Sequence, residues 1–404
     1  MKRLLIGEVL TPYRMIHRGA VLTKDSRISG VGEAKEFCNE DVDELLDFSG
    51  AYISPGFIDI HVHGGGGSDT MDGTIEALLT IAQTHASGGT TGLYPTTLTA
   101  PVDSILDTLV IVRKAMDLQI AQDSGARILG AHVEGPYFSA AQAGAQNPKH
   151  LKCPTVEEIE KILATGAVKR VSLAPEIPGA FEASKMLCRQ GALVSIGHSN
   201  ALFRDVVKAM EYGFSHVTHI YSGMSTMKRI NSYRLAGVLE ATLLLDELTT
   251  EMIADGHHLP PSLMKLVIKN KGVERVCGIT DAISAAGLGP GEYELGGLKI
   301  IVENEVARDY EISPPGCVAK LANREAFAGS VALMIDVLRN LVELASVPLP
   351  DAVKMITSTP AKIMGINHER GRLAPGHLAD ITVFTKEFEV LLTMVEGTIV
   401  YRTH

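Results

Sequence analysis

The 404-residue sequence has no tryptophan, only 5% aromatic residues, and no apolar run of the roughly 20 residues that a membrane-crossing helix needs. No span through a bilayer is expected. Its five cysteines, at positions 38, 153, 188, 277 and 317, are odd in number and form no C-x-x-C pair. That pattern argues against a disulfide framework and fits reduced thiols in a cytoplasmic protein. Basic residues are mixed with a larger number of acidic ones, giving a formal charge of -10 and no stripe that could neutralise phosphates, so nucleic acid is excluded as the main partner. The opening "MKRLLIGEVLTPYR" offers no secretory core, because its apolar run breaks at Glu8 and again at Pro12. Fixed-period repeats and low-complexity segments are also missing.

What the chain does have is 46% hydrophobic and 21% charged residues, the balance of a folded globular protein of enzyme size. The two ends read alike. Short alternating segments such as "LLIGEVL" and "ELLDFSGAYISPG" at the start, and "ADITVFTKEFEVLLTMVEGTIVYRT" at the end, are strands broken by Gly, Asp and Ser turns. Residues 1–54 and 368–404 are thus expected to form one small β-sandwich domain. Between them, residues 55–367 alternate short apolar strands with helical periods, several of which end at a glycine suited to a helix C-terminus. Eight strand candidates occur there: "GFIDIHVH", "TTGLYPTTL", "RILGAHVEG", "VKRVSLAPE", "ALVSIGHS", "FSHVTHIYSG", "TEMIADGHH" and "RVCGITDA". Eight such units predict an α/β fold, a (β/α)8 TIM-type barrel, interrupted by an inserted hairpin at residues 291–320.

Polar residues gather at the same end of these strands. His61 and His63 close the first, Glu134 the third, His198 the fifth, His219 the sixth, His258 the seventh and Asp281 the eighth. In such a barrel those ends face one rim, where active sites are built. Strand alternation puts His61 and His63 on one face, and Glu134 adds a carboxylate whose burial is costly without a cation nearby. With His198 and His219 they make a nitrogen and oxygen donor set suited to Zn²⁺ or Fe²⁺. Asp281 admits two readings, a helix cap or a carboxylate that accepts a proton from activated water. Glycines 64–67 are equally compatible with a plain turn and with a bare rim that keeps the mouth open. Met224 and Met227 read as packing.

In this order, "PGFIDIHVHGGGG", "HVEGPY", "GAQNP", "IGHS", "THIYSGM", "ADGHH" and "ITDA", followed by "FAGS" at Phe327 to Ser330, resemble the N-acetylglucosamine-6-phosphate deacetylase family of the amidohydrolase superfamily. The likeness runs from about residue 50 to 385. It implies Glu134, His198 and His219 as principal metal ligands and His61 with His63 as holders of a second ion. One or two divalent ions per subunit follow, Zn²⁺ first, with Fe²⁺, Co²⁺ or Mn²⁺ as alternatives. Asp281 matches the catalytic aspartate, His258 the histidine beside the scissile amide, and Gln146 a position near the sugar. The implied reaction removes the acetyl group of an amino-sugar phosphate as acetate.

This chain also departs from the family pattern. Ser222 and Gly223 replace Asn and Ala at a substrate-contacting turn, Ala143 stands where a basic residue is frequent, and "KRINSYRLAG" replaces a stretch whose Arg reaches the phosphate of a neighbouring subunit's substrate. Lys228, Arg229 or Arg234 could supply that charge; use of Arg229 across an interface implies a homodimer. The departures motivate a second reading, an amidohydrolase acting on a different N-acetylated sugar phosphate or an N-acyl amino acid. A non-catalytic barrel is disfavoured because all five donors and Asp281 are present.

Overall fold

The structure, a computed structural model, describes residues 1–121, 124–305 and 316–403. Among these, the barrel strands are Phe57–Val62, Thr90–Pro95, Ala131–Glu134, Val168–Leu173, Leu193–Ile196, Phe214–Val217, Thr249–Ile253 and Val276–Ile279. Neighbours in this order run parallel, and the bridges Thr96 to His132 and Val62 to Ala282 join the two sheet segments and close the ring. Each of the eight expected strand segments overlaps one of these strands.

Helices follow the strands because the sequence switches from β-branched runs to a 3.6-residue period with caps. After strand three, the Thr155 hydroxyl accepts from the Glu158 N–H (3.3 Å) and starts helix Val156–Ala164. That helix buries Ile159 and Ile162, three residues apart on one face, and carries its acids first and Lys161 in its last turn, as the helix dipole favours. Val62, Leu93, Val133, Val171, Val194 and Val217 face such helices in one continuous apolar layer. The layer fixes which strand residues point inward. Those inward positions are polar to an unusual degree, with Arg170, Glu251, His132 and His216 all fully buried.

Both chain ends enter a second, seven-stranded sheet, in the order Thr398–Arg402, Val390–Val395, Ile381–Phe384, Glu44–Pro55, Lys2–Leu10, Met15–Lys24, Arg27–Glu33. Its hydrogen bonds form one continuous, curled sheet, the small β domain expected from the two chain ends. The sheet curls until Ile28 N–H reaches the His377 carbonyl (2.9 Å), and it encloses Leu5, Val21, Ile53, Ile381 and Leu392. It is tied to the barrel where Gly56 N–H meets the Asp380 carbonyl (2.9 Å) and where Arg370, between Asp380 and Glu396, is buried.

The insertion corrects the expected hairpin. Gly291–Leu295, Leu298–Glu305 and Gly316–Leu321 form a three-stranded antiparallel sheet, since the middle strand has hydrogen-bonding partners on both edges. Residues 306–315 of the expected segment lie outside the described residues. Leu295, Ile300, Val302 and Ala319 pack this sheet over Leu98 and Ile283 at the barrel rim. Among the described residues no helix is long and apolar enough to cross a membrane.

The glycine run is laced, not loose. Gly64 N–H donates to the Ala282 carbonyl and Gly67 N–H to the Ser284 carbonyl, both at 2.8 Å, and a Cβ on Gly64 would lie 2.6 Å from the Ser284 nitrogen. Beneath it, the fully buried His85 donates from Nε2 to the Gly64 carbonyl (2.9 Å). Burial lowers the His85 pKa to about 4. The unfolded chain takes up this proton near 6.5 and the folded chain does not, so stability is full above pH 6.5 and is lost as pH falls towards 4, by about 1.4 kcal/mol per pH unit. His85→Gln keeps a donor for Gly64. Urea unfolding from pH 7 to pH 4 should show this variant with a shallower pH dependence, by about one proton; an unchanged slope would contradict the assignment.

Candidate active site

Five donors meet at the carboxyl rim of the barrel. His61 Nε2 and His63 Nε2 lie 3.3 Å apart, and Glu134 is shared: one oxygen is 3.5 Å from His61, 3.4 Å from His198 and 3.0 Å from His219, the other 3.3 Å from His63. Two triads result, His61–His63–Glu134 and Glu134–His198–His219, each with its ligand atoms within 4.8 Å of one another. Asp281 Oδ1 sits beside the first, 3.2 Å from His63 Nε2 and 3.4 Å from His61 Nε2. All six residues are buried.

The backbone is bent to bring them there. His198, His219 and Asp281 follow strands five, six and eight with φ of 45°, 26° and 50°, a left-handed conformation that costs free energy outside glycine and clusters at functional sites. The loops that carry two of them are zipped together, Ser199 N–H to the Gly223 carbonyl (3.0 Å) and Ser225 N–H to the Ser199 carbonyl (2.9 Å).

Three outer ring nitrogens are engaged: His61 Nδ1 with Glu251 (2.8 Å), His63 Nδ1 with the Thr96 carbonyl (3.2 Å) and His198 Nδ1 with the Gln142 carbonyl (2.8 Å). Bonds to acceptors place a proton on each Nδ1 and leave Nε2 as the atom that faces inward. Burial disfavours charge on His61 and His63, yet the carboxylates of Glu134 and Asp281 outweigh it and raise both rings, His63 to about 9. Burial likewise works against Glu134 as an anion, and His61, His198 and His219 pull its pKa well below the usual range. Such a set calls for positive charge at its centre, and its N and O donors fit a divalent cation. A third group, His216–Glu251–Cys277, satisfies the same distance limit, but its carboxylate is already taken by the Arg170 guanidinium.

A cavity of about 240 Å³ opens over the cluster and is also lined by Gln146, Ser222, Gly223 and His258. His258 stands against the Phe327 ring (centroids 4.9 Å), its Nδ1 held by Asp255 (2.8 Å); burial opposes its charge, and Asp255 raises its pKa nonetheless. Gln146 is occupied at both ends of its amide, donating to Glu134 (2.8 Å) and accepting from Thr99 N–H (2.8 Å). Here it orients the shared carboxylate. Arg229 and Arg234 are exposed, paired across the hairpin of Lys228–Ile230 and Tyr233–Leu235, and Lys228 bonds Asn200. None of the three, nor Ala143, lines this cavity, and among its described lining residues there is no Lys or Arg. Sequence reasoning missed Glu251, Arg170 and Asp255. Charged residues in the strand segments "VKRVSL" and "TTEMI" were the available signal for Arg170 and Glu251, and the acid of "ADGHH" for Asp255.

A closed parallel barrel with two imidazole–carboxylate triads sharing one Glu at its carboxyl rim defines a divalent-metal hydrolase. The chain belongs to the amidohydrolase family, whose sequence pattern matches residues 52–400. It is 33% identical over 400 residues to the N-acetylglucosamine-6-phosphate deacetylase of Bacillus subtilis (strain 168), covering 97% of this chain and 95% of that one. With the N-acetylgalactosamine-6-phosphate deacetylase of Escherichia coli O157:H7 it shares 32% identity, over 85% of this chain and 86% of the other. The crystal structure of N-acetylglucosamine-6-phosphate deacetylase from Pasteurella multocida superposes with a TM-score of 0.88 at 27% identity, covering 99% of both chains.

Gly223, with φ of 55°, is held against His198: a Cβ there would lie 2.7 Å from Nδ1 of the ring. Gly223→Ala should cost about 1–2 kcal/mol of stability through its backbone alone. It should also weaken metal binding by displacing His198. Thermal unfolding and metal titration would check both; wild-type metal affinity would contradict the close packing.

Proposed function

We propose that this protein hydrolyses the N-acetyl group of N-acetylglucosamine 6-phosphate, giving glucosamine 6-phosphate and acetate in amino-sugar catabolism. The observation that carries the reading is the position of Asp281, 3.2 Å from His63 Nε2 and facing the same cavity as His258. The chemistry that a divalent cation would supply in the donor cluster is polarisation of an amide carbonyl and a lowered pKa for water near neutral pH. His61, His63, Glu134, His198 and His219 would hold it. Two triads around one carboxylate support two ions, and the mixed imidazole and carboxylate set supports Zn²⁺ first, then Fe²⁺, Co²⁺ or Mn²⁺.

Asp281 accepts the proton of the attacking water and returns it to the departing amine, which cannot leave as an anion. His258, oriented by Asp255, donates a hydrogen bond to the carbonyl oxygen as charge builds on it. Leu98, Ile253, Leu295 and Phe327 wall the cavity and limit the access of bulk water, which strengthens these interactions. Gln146, Ser222 and Gly223 border the space for the sugar. Because Arg229 is outside the cavity of its own chain, its contact with phosphate would come through a second copy, in a cytoplasmic homodimer. Ser222–Gly223 in the cavity wall favours a second reading, another N-acetylated sugar phosphate such as the galactosamine isomer, or an N-acyl amino acid, the last also suited by a described lining without Lys or Arg.

Acetate release from N-acetylglucosamine 6-phosphate, its galactosamine isomer and unphosphorylated N-acetylglucosamine tests the proposal. The glucosamine phosphate should be turned over fastest, and equal rates with and without phosphate would remove that group from the account. Asp281→Asn should keep its bound metal and lose at least about 100-fold in kcat; a near-normal rate would overturn the proton role.

A further inference from the structure

Directly beneath the donor cluster, the barrel core holds a complete polar network that the reaction does not use. Arg170 is fully buried and all five of its N–H groups are satisfied. Nε donates to Ser195 Oγ (3.1 Å), Nη1 to the Ile60 carbonyl (3.0 Å) and to Glu251 Oε2, and Nη2 to Thr218 Oγ1 (3.2 Å) and Glu251 Oε1 (2.8 Å). This fork holds the Glu251 carboxylate in one orientation. Oε1 in turn meets His61 Nδ1 at 2.8 Å and accepts from the His219 backbone N–H at 3.2 Å. One oxygen therefore touches a ligand from each triad.

Stability is a poor reason for such a pair. A buried guanidinium–carboxylate pair loses so much hydration that well-packed apolar residues often replace it without loss. Positioning is a better one, because a carboxylate on the outer nitrogen of a ligand imidazole fixes its tautomer, ring angle and basicity.

We propose that Glu251, aimed by Arg170, is the positioning residue for His61, and that it sets the affinity of the His61–His63 half of the site for a divalent cation. The proposal rests on the donor geometry and not on the identity of the substrate. Its test is independent of deacetylation.

The full-length chain, stripped of metal, is titrated with Co²⁺ by calorimetry and by visible absorption. Glu251→Gln should weaken one binding step about 10- to 100-fold. In a His61→Gln background the same substitution should cause no further loss, because the ring it acts through is gone. Unchanged affinity, or an equal loss in both backgrounds, overturns the proposal. Should Glu251→Gln not fold, Arg170→Met with Glu251→Leu removes both charges and is read the same way. ¹⁵N NMR of the zinc-loaded wild-type chain is a check free of substitutions: His61 is expected to carry a proton on Nδ1, bonded to Glu251, and an unprotonated Nδ1 overturns the assignment.

Discussion

The site is organised around one buried carboxylate. Glu134 lies within 3.5 Å of four imidazole nitrogens at the end of an apolar strand, where burying an anion costs several kcal/mol unless positive charge is close. Its surroundings are consistent with meeting that demand. Gln146 restrains one oxygen, and His198 and His219 accept left-handed backbone to reach the other. Gly223 is bare because the His198 ring occupies the space of its Cβ. Local strain at the rim is thus offset by one shared electrostatic centre.

The rest of the fold keeps that centre in place. Helices cover the outer face of the strands with an apolar layer, so the inward face is free to carry Arg170, Glu251 and His132. The glycine run after His63 is bonded along the segment 282–286, which fixes the spacing between the first strand and Asp281. The terminal sheet is joined to the barrel base through Asp380 and Arg370, while the inserted three-stranded sheet lies over the rim and contributes Leu295 to the cavity.

Much of this was legible in the sequence. The eight strands stood out as short apolar runs, and the donors stood out because His, Glu and Asp closed those runs at a common end. Other features depend on registers that a linear pattern does not carry. Arg170 and Glu251 are 81 residues apart and meet only because strands four and seven face each other across the barrel. Gln146 lines the cavity, and the bond from its amide to Glu134 joins positions that no linear pattern connects. The third strand of the insertion is separated from the first two by ten residues, so a hairpin was the simpler expectation. The curl of the terminal sheet is set by long-range bonds such as Ile28 to His377.

The central claim is that Glu134 and its four imidazoles hold divalent metal at one rim. Anomalous X-ray scattering from crystals of the purified protein, collected above and below a metal absorption edge, tests it most directly. A peak about 2.0–2.2 Å from Glu134 and from His198 and His219 is predicted, with a second shared with His61 and His63. A map with no peak at Glu134, in protein that elemental analysis finds loaded with metal, would contradict the account.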